Sequence, residues 1–178
     1  MESKQALRNA IRAQARQDYH EEDSNSCRKL LASSLYVHAH CIFAFSPLPD
    51  EPDIHEVLKD ALVHKVLALP ISAADGTLRF YQVFSFDSLQ KGRFGISEPQ
   101  ITKELFPTGA DLLLVPAVAY TRLGQRLGRG KGYYDRFLSS YKECPTLGMC
   151  RSHQLVESLP EEEHDKRVGS VLCAGVFY

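Results

Sequence analysis

The sequence predicts an α/β fold in which helices cover both faces of a parallel or mixed central sheet. Strand-like and helix-like segments alternate along the 178 residues. Several of the strand candidates are continuous apolar runs, as expected for strands that are buried on both faces. The length suits a single domain over residues 1–178, which can bury a substantial core without disulfide bonds.

The elements follow from local patterns, taken in chain order. Ser3 can cap the first helix, and Asp53 and Glu56 have the spacing of a capping box at the start of the third. The helix candidates are residues 3–19, 26–36, 53–63 and 133–141. The strand candidates are residues 40–45, 65–69, 78–84, 112–115, 146–150 and 170–176. In such sheets ligands bind beyond the carboxyl ends of the strands, so the ends after Phe45 and Val115 are expected to form the walls of a site.

One glycine-rich segment carries most of the functional information. Residues 124–136 read Gly-Gln-Arg-Leu-Gly-Arg-Gly-Lys-Gly-Tyr-Tyr-Asp-Arg, between an apolar run that ends in proline and a stretch with helical spacing. Alternating glycines allow the backbone to adopt positive φ and expose its N–H groups, while Arg129 and Lys131 supply positive charge. A loop of this kind at a helix N-terminus favours polyphosphate.

Two common phosphate-binding motifs do not match this loop. A P-loop requires Ser or Thr after Gly-Lys, but Gly132 follows Lys131. The dinucleotide fingerprint would require a third glycine where Tyr133 stands. A glycine-rich surface turn with solvated charges and an RNA-binding Arg/Gly segment are the two alternative interpretations.

The first helix carries a basic stripe. Lys4, Arg8, Arg12 and Arg16 follow one another at four-residue steps beside an apolar face. Like charges at this spacing repel by a few tenths of a kcal/mol per pair, so a nearby anion would relieve the repulsion. Spacing alone favours the simpler interpretation of a solvated basic face on an amphipathic helix.

Composition narrows the function classes. With 21 basic and 22 acidic residues the net charge is −1, so no global positive field points to nucleic acid. The five cysteines form no C-x-x-C pair and suit a reducing cytoplasm. Residues 1–20 lack the apolar stretch of a signal peptide, and no run approaches the roughly 20 apolar residues of a membrane span. We expect a cytoplasmic protein that acts as a monomer and binds neither membrane nor nucleic acid.

The sequence resembles the 5-formyltetrahydrofolate cyclo-ligase family. Residues 114–136 match its pattern of a strand ending in Val-Pro, an aromatic residue, and Arg-Leu-Gly-x-Gly-x-Gly-Tyr-Tyr-Asp. Weaker matches follow the family's order along the chain. They are Lys4 and Arg8 in the first helix, Glu51 and Asp53, the block at residues 89–99, and residues 159–165.

The resemblance implies a three-layer α/β/α fold similar to the sugar-phosphate isomerase and CoA-transferase group. It also implies ATP and Mg²⁺ as cofactors and 5-formyltetrahydrofolate as the substrate. Arg126, Arg129 and Lys131 become the expected catalytic residues. The expected ATP-binding residues are Lys4, Arg8, Arg126, Gly128, Arg129, Gly130, Lys131, Gly132, Tyr133 and Tyr134. The expected folate-binding residues are Ser46, Glu51, Arg129 and Tyr133.

The resemblance further implies that Asp135 and Asp165 contact the metal ion. Without it, Asp135 could simply compensate the dipole of the helix that it begins, and Asp165 could belong to an ordinary charged loop. Magnesium sites on nucleotides commonly use one or two carboxylates together with phosphate oxygens and water.

Several other conspicuous residues are expected to be structural. His38, His40 and Cys41 have no matching ligand group elsewhere in the sequence. The aromatic residues Phe80, Tyr81, Phe84 and Phe86 could line a pterin pocket, but the buried face of a strand explains them more simply.

The resemblance thus implies ATP-dependent closure of 5-formyltetrahydrofolate to 5,10-methenyltetrahydrofolate through a phosphorylated formyl group, an iminium phosphate, with release of ADP and phosphate. Two alternatives come from other classes. One is a non-catalytic nucleotide or folate sensor with the same fold, and the other is an RNA-binding module that uses the Arg/Gly loop. The neutral net charge disfavours the second.

Overall fold

The computed structural model describes residues 3–15, 18–92 and 95–178. The helices of this part of the chain are α1 (Lys4–Ala13), α2 (His20–Leu31), α3 (Ser34–Val37), α4 (His55–His64) and α5 (Tyr133–Ser140). The strands are β1 (Cys41–Phe43), β2 (Val66–Ser72), β3 (Leu78–Val83), β4 (Gln90–Lys91), β5 (Ser97–Glu98), β6 (Glu104–Leu105), β7 (Leu112–Val115), β8 (Ala119–Tyr120), β9 (Arg126–Leu127), β10 (Thr146–Cys150), β11 (Ser170–Cys173) and β12 (Val176–Phe177).

An eight-stranded mixed sheet forms the centre of these described residues. Its strand order is β12-β11-β10-β7-β1-β2-β3-β6. The strands from β11 to β2 are parallel, whereas β12, β3 and β6 each pair antiparallel with their neighbour. The expected mixed central sheet is therefore confirmed, with its antiparallel strands at the two edges.

Helices cover both faces of the sheet. Ile42 and Leu112 project toward the layer that contains α2, α3 and α4, while their neighbours Phe43 and Leu113 project toward α5. All four side chains are almost fully buried. Burial on both faces explains why the parallel strands read as continuous apolar runs, and it confirms the three-layer architecture.

The helix boundaries differ from the sequence-based expectations. Ser3 caps α1 as expected, with its hydroxyl accepting from the Ala6 N–H, but α1 ends at Ala13 instead of near residue 19. The second helix begins earlier, at His20, and ends at Leu31. Ser33 interrupts it, because its hydroxyl donates to the Leu30 carbonyl and accepts from the Tyr36 N–H that starts α3.

Two further expectations were wrong in detail. The capping box at residues 53–56 does not form, because α4 begins at His55 and Asp53 accepts from the His55 N–H. The strand expected at 170–176 is divided into β11 and β12 by a turn at Ala174 and Gly175, which both have positive φ. Sequence patterns also missed the two-residue strands, which are too short to show a period.

Parts of three expectations lie outside the described residues. They are residues 16 and 17 of the helix expected at 3–19, Arg16 of the basic stripe, and Arg93 and Phe94 of the block at 89–99. In the described ranges, no helix has the length and apolar content required to span a lipid bilayer.

Candidate active site

A cleft of about 1010 Å³ opens beyond the carboxyl ends of β1 and β7. Phe45 and Ser46 follow β1 into one wall, and Pro116 and Ala117 follow β7 into the floor. The strand ends expected to bound the site therefore do so. The glycine loop at residues 128–132, α1 and the start of α5 also line the cleft.

The cleft gathers every residue that was expected in the site. These residues are Lys4, Arg8, Ser46, Glu51, Arg126, Gly128, Arg129, Gly130, Lys131, Gly132, Tyr133, Tyr134, Asp135 and Asp165. They come from four separate stretches of the chain, at residues 4–8, 46–51, 126–135 and 165, so their meeting on one surface is a consequence of the fold.

The glycine loop connects β9 to α5. Gly130 has a φ of 93°, and Gly132, the residue before α5, has a φ of 69°. A side chain at Gly130 would also place its Cβ 3.3 Å from a guanidinium nitrogen of Arg8. The positive φ favours glycine here, and a side chain would also crowd the Arg8 guanidinium.

Helix α1 contributes cations to the cleft and is held there by apolar packing. Ile11 packs with Val118 and Leu127 of the β8–β9 hairpin. Arg8 donates from Nε to the Gly128 carbonyl at 2.7 Å. The basic stripe is thus not a uniformly solvated face, because Lys4 and Arg8 line the cleft. Arg12 does not line it, and instead pairs with Asp50 at 3.4 Å from a half-exposed position.

Arg129 joins the glycine loop to the segment that follows β1. Its Nε and Nη2 donate to Glu51 Oε1 at 3.1 and 2.9 Å, and Nη2 also pairs with Asp50. Burial raises the pKa of the Glu51 carboxyl above its ordinary value, although Arg129 acts in the opposite direction. Burial also acts to raise the pKa of Asp50, but the hydrogen bond and charge of Arg129 together with the charge of Arg12 outweigh it, and the pKa is lowered.

Arg126 lies beneath the glycine loop. Its side chain is only 3% exposed, pairs with Asp135, and donates from Nε to the Lys166 carbonyl at 3.4 Å. Asp135 also accepts from the Lys166 N–H at 3.2 Å. Asp135 therefore does more than compensate the dipole of α5, because it neutralises a nearly buried guanidinium.

Asp135 and Asp165 lie on the same side of the cleft, since Asp135 is hydrogen-bonded to the residue that follows Asp165. Lys4 Nζ lies 2.7 Å from Asp165 Oδ2 and 3.1 Å from Glu162 Oε1. Burial alone would raise the pKa of Asp165, but the hydrogen bonds from Lys4 and the Glu162 N–H, together with the charge of Lys4, lower that pKa below its ordinary value. No cluster of three or more metal-ligating side chains occurs among the described residues. Two carboxylates are nonetheless enough for Mg²⁺ when a nucleotide supplies the other oxygens.

Some of the remaining polar groups of the cleft have a hydrogen-bond partner within the protein, and others have none among the described residues. The Tyr133 hydroxyl donates to the Ala73 carbonyl at 3.0 Å, and the Ser46 hydroxyl donates to the Ser97 carbonyl at 2.6 Å. The Tyr134 hydroxyl is buried and has no hydrogen-bond partner among the described residues. Burial raises the pKa of this phenol, so it stays protonated and can donate. Lys131 is exposed, and no carboxylate in the described ranges pairs with it.

Sequence reasoning missed several residues of the site. Asp50 and Lys166 each adjoin an expected residue, so sequence proximity was the available signal. Arg136 was missed although it belongs to the glycine-rich segment, and it donates to the Lys131 carbonyl at 3.0 Å and to the Gly76 carbonyl at 2.7 Å. These bonds connect the glycine loop to the turn between β2 and β3.

The residues expected to be structural do lie outside the cleft. Phe80 is buried against Phe43 and Phe137 in the core, and none of the four aromatic residues considered for a pterin pocket lines the cleft. The Cys41 thiol is buried, which raises its pKa to about 12 and makes it a poor metal ligand.

The chain is similar to known proteins over nearly its whole length. A model of the 5-formyltetrahydrofolate cyclo-ligase family matches residues 1–174. The 5-formyltetrahydrofolate cyclo-ligase of Escherichia coli is 30% identical over 168 residues, which cover 89% of this chain and 91% of that protein. The mouse protein of the same name is 26% identical, with 93% and 89% covered.

A solved structure gives the same result. The NMR structure of 5,10-methenyltetrahydrofolate synthetase from Aquifex aeolicus superposes with a TM-score of 0.86 at 28% identity, covering 98% of this chain and 91% of that one. The family match and the shared fold agree with the cleft and its cations. The chain belongs to the 5-formyltetrahydrofolate cyclo-ligase family of enzymes.

Proposed function

We propose that this protein uses ATP and Mg²⁺ to close 5-formyltetrahydrofolate into 5,10-methenyltetrahydrofolate, releasing ADP and phosphate. The observation that carries the proposal is the cleft itself. It combines a glycine loop at a helix N-terminus, several cations and two carboxylates at one end with a buried carboxylate and an unengaged phenol nearby. The first set suits a nucleoside triphosphate, and the second suits the polar edge of a pterin.

The chemistry requires activation of the formyl oxygen, which is a poor leaving group. In the proposed reaction this oxygen attacks the γ-phosphorus of ATP, and the bond to ADP breaks to give an iminium phosphate. The N10 amine then attacks the formyl carbon. Loss of phosphate, with its bridging oxygen, and of the N10 proton yields the methenyl cation. The first step is catalysed chiefly by positioning and by neutralisation of phosphate charge.

The cations of the cleft are available for this task to different extents. Lys131 has no ion-pair partner in the described part of the chain, so it can bind phosphate without breaking an existing contact. Lys4 and Arg129 are already paired with carboxylates and would exchange partners when the nucleotide binds. Arg126 is nearly buried, so we propose that it acts mainly by holding Asp135. Arg8 supports the loop at Gly128 and presents the rest of its guanidinium to the cleft.

The folate end of the cleft is supported by buried polar groups. The Glu51 carboxylate can accept from the N–H groups of a pterin, and the Tyr134 hydroxyl can donate to a ring nitrogen or oxygen. A buried hydroxyl without a partner is unfavourable until a ligand group satisfies it. Ser46 and Tyr133 line the same cleft.

Asp135 and Asp165 would hold the magnesium ion, as a pair of carboxylates within the nucleotide end of the cleft. The ion would neutralise phosphate charge and orient the γ-phosphoryl group. In its absence the two carboxylates are paired with Arg126 and Lys4. Metal binding would therefore release Lys4 toward phosphate.

A sensor without catalysis is the alternative. It would bind both ligands without turning them over, whereas the number of charged groups around the expected γ-phosphate position favours group transfer. We also keep the expectation of a monomeric cytoplasmic enzyme that does not bind nucleic acid. Five reduced cysteines, all buried, are consistent with a reducing compartment.

An isotope experiment tests the proposed reaction. The protein is given ATP, Mg²⁺ and 5-formyltetrahydrofolate whose formyl oxygen is ¹⁸O, and the phosphate released is analysed by mass spectrometry. Transfer of one ¹⁸O atom per phosphate is expected, together with one methenyl product. Unlabelled phosphate would contradict the iminium phosphate route, and the absence of any methenyl product would support the sensor.

A further inference from the structure

The segment from Pro47 to Asp53 carries Asp50 and Glu51 to the cleft without regular secondary structure of its own. Such a segment is stiff only if other elements hold it. Within the segment, Glu51 Oε2 accepts from the Leu48 N–H at 3.0 Å, and the Glu51 N–H donates back to the Leu48 carbonyl at 2.9 Å. These local bonds fix the shape of the turn but not its position relative to Arg129.

A buried ion pair behind the cleft holds both ends of this segment. Arg151, which follows β10, donates to Asp23 of α2 from Nε at 3.0 Å and from Nη2 at 2.7 Å. The same Arg151 reaches the Pro49 carbonyl with Nη1 at 3.5 Å. The same Asp23 accepts from the Asp53 N–H at 2.9 Å. The two partners of one ion pair thus bond to residues on either side of Glu51.

The pair is itself fixed by its surroundings. The side chains of Arg151 and Asp23 are 11% and 8% exposed, and the Arg151 guanidinium stacks over the Tyr19 ring at 4.5 Å. A planar guanidinium that is stacked and bidentate keeps one orientation, which a lysine would not. Gln154, three residues later, adds a third anchor by donating to the Asp50 carbonyl at 3.3 Å and the Val118 carbonyl at 3.2 Å.

Neither Arg151 nor Asp23 lines the cleft. We propose that Arg151 is a positioning residue, which together with Asp23 holds residues 47–53 so that Asp50 and Glu51 meet Arg129 and the folate. The functional part of this inference rests on the proposed function. It predicts that the ion pair acts on folate binding through Glu51, and much less on ATP binding. Of the expected ATP-binding side chains that the structure describes, Arg129 bonds to the segment, whereas Lys4, Arg8 and Lys131 do not.

The structural part is tested by hydrogen–deuterium exchange of the wild type, Arg151→Lys and Asp23→Asn. Lysine keeps the charge but loses the bidentate bond and the reach to Pro49. Asp23→Asn keeps an oxygen that accepts from the Asp53 N–H, so it is the milder of the two changes. It takes the place of Arg151→Lys in the experiment if that variant does not fold. We expect the amides of Leu48, Glu51 and Asp53 to exchange at least about tenfold faster in Arg151→Lys. The Cys41 amide, bonded to Asp111, serves as the internal reference.

The functional part is tested by steady-state kinetics. We expect Arg151→Lys to raise the KM for 5-formyltetrahydrofolate about tenfold while the KM for ATP changes much less. Tyr36→Phe is the matched control, because it removes a buried hydrogen bond to Asp60 in the helical layer far from the cleft. If Arg151 had a purely structural role, Arg151→Lys and Tyr36→Phe would change the KM values for folate and ATP in the same way at comparable losses of Tm.

A double-mutant cycle with Glu51→Gln decides whether Arg151 acts through Glu51. If it does, Arg151→Lys adds little to the folate KM of Glu51→Gln. The proposal would be overturned if the effects of Arg151→Lys and Glu51→Gln on the folate KM multiplied. It would also be overturned if amide exchange at residues 48–53 were unchanged in Arg151→Lys. If the wild type forms no methenyl product, the proposed function fails instead, and the exchange experiment still decides whether Arg151 holds the segment.

Discussion

Arg129 and Glu51 are 78 residues apart in the chain and share two hydrogen bonds in the cleft, of 3.1 and 2.9 Å. One residue belongs to the glycine loop and the other to the segment after β1. Their contact joins the part of the cleft that suits phosphate to the part that suits the pterin. A change at Arg129 should therefore affect the use of both substrates, whereas a change at Glu51 should act mainly on the folate.

The buried Glu51 carboxyl predicts a pH dependence. Its pKa is raised by burial, so protonation begins above the usual range of a glutamate. A protonated Glu51 no longer accepts two N–H bonds, so kcat/KM for 5-formyltetrahydrofolate should fall as the pH drops through this pKa. Glu51→Gln should have a lower value throughout and should lack this acid limb.

The same shift predicts the sign of the effect on stability. Because the pKa is higher in the folded than in the unfolded protein, Glu51 contributes most when it is protonated, and this contribution is lost as the pH rises through the folded pKa. The Tm of the wild type relative to Glu51→Gln should therefore decrease as the pH rises. If kcat/KM for 5-formyltetrahydrofolate had the same acid limb in the wild type and in Glu51→Gln, a group other than Glu51 would cause it.

Arg8 and Arg12 offer a matched comparison on one helix. Arg8 lines the cleft and donates to Gly128, whereas Arg12 forms a half-exposed pair with Asp50. Arg8→Ala should lower kcat/KM for ATP about 100-fold, since it removes phosphate charge stabilisation. Arg12→Ala should lose only about 0.2–1 kcal/mol of stability and little activity.

Steady-state kinetics and Tm of the two variants check this prediction. Equal, small effects on ATP use would mean that the basic face of α1 does not bind phosphate.

The parallel strands and the glycine loop could be predicted because their patterns are local. An apolar run such as residues 112–115 and an alternation of Gly, Arg and Lys are visible without tertiary information. The meeting of Arg129 with Glu51 depends on long-range packing. Family resemblance indicated both residues, but no pattern in the sequence predicts their hydrogen bonds.

Other features were missed for the same physical reason. The division of the second helix at Ser33 depends on a competing side-chain bond, which a helical period does not reveal. Arg151 looked like an ordinary residue after a strand, and only the fold shows its bonds to Asp23 and Pro49.

Gly130 tests whether the loop conformation matters for ATP. Gly130→Ala would force a side chain into a backbone with a φ of 93° and against the Arg8 guanidinium. We expect a loss of about 1–2 kcal/mol of stability and a raised KM for ATP. Gly169→Ala is the control, because its Cβ would meet only Thr146, with the carbonyl oxygen at 3.4 Å and the hydroxyl oxygen at 3.6 Å. Similar KM values for ATP in Gly130→Ala and Gly169→Ala would argue against a phosphate-binding loop.

Asp135→Asn separates metal binding from a purely structural role. Compensation of the helix dipole alone would predict a loss of about 0.3–1 kcal/mol, but the nearly buried Arg126 would also lose its ionic partner. We therefore expect a loss of about 1–3 kcal/mol of stability. A role in metal binding predicts, in addition, that activity falls by orders of magnitude and is partly restored by excess Mg²⁺.

The measurement is a magnesium titration of activity at a temperature where the variant is folded. Unchanged turnover and magnesium requirement would exclude Asp135 as a ligand and leave Asp165 as the leading candidate.

The proposed reaction is tested most directly by a spectroscopic assay for 5,10-methenyltetrahydrofolate with the purified wild-type protein. ATP, Mg²⁺ and the 5-formyl isomer are each omitted in turn, and ADP is measured in parallel. We expect product only when all three are present, with one ADP for each methenyl group formed. Equal turnover without ATP, or hydrolysis of ATP that is indifferent to the folate, would contradict the proposed reaction.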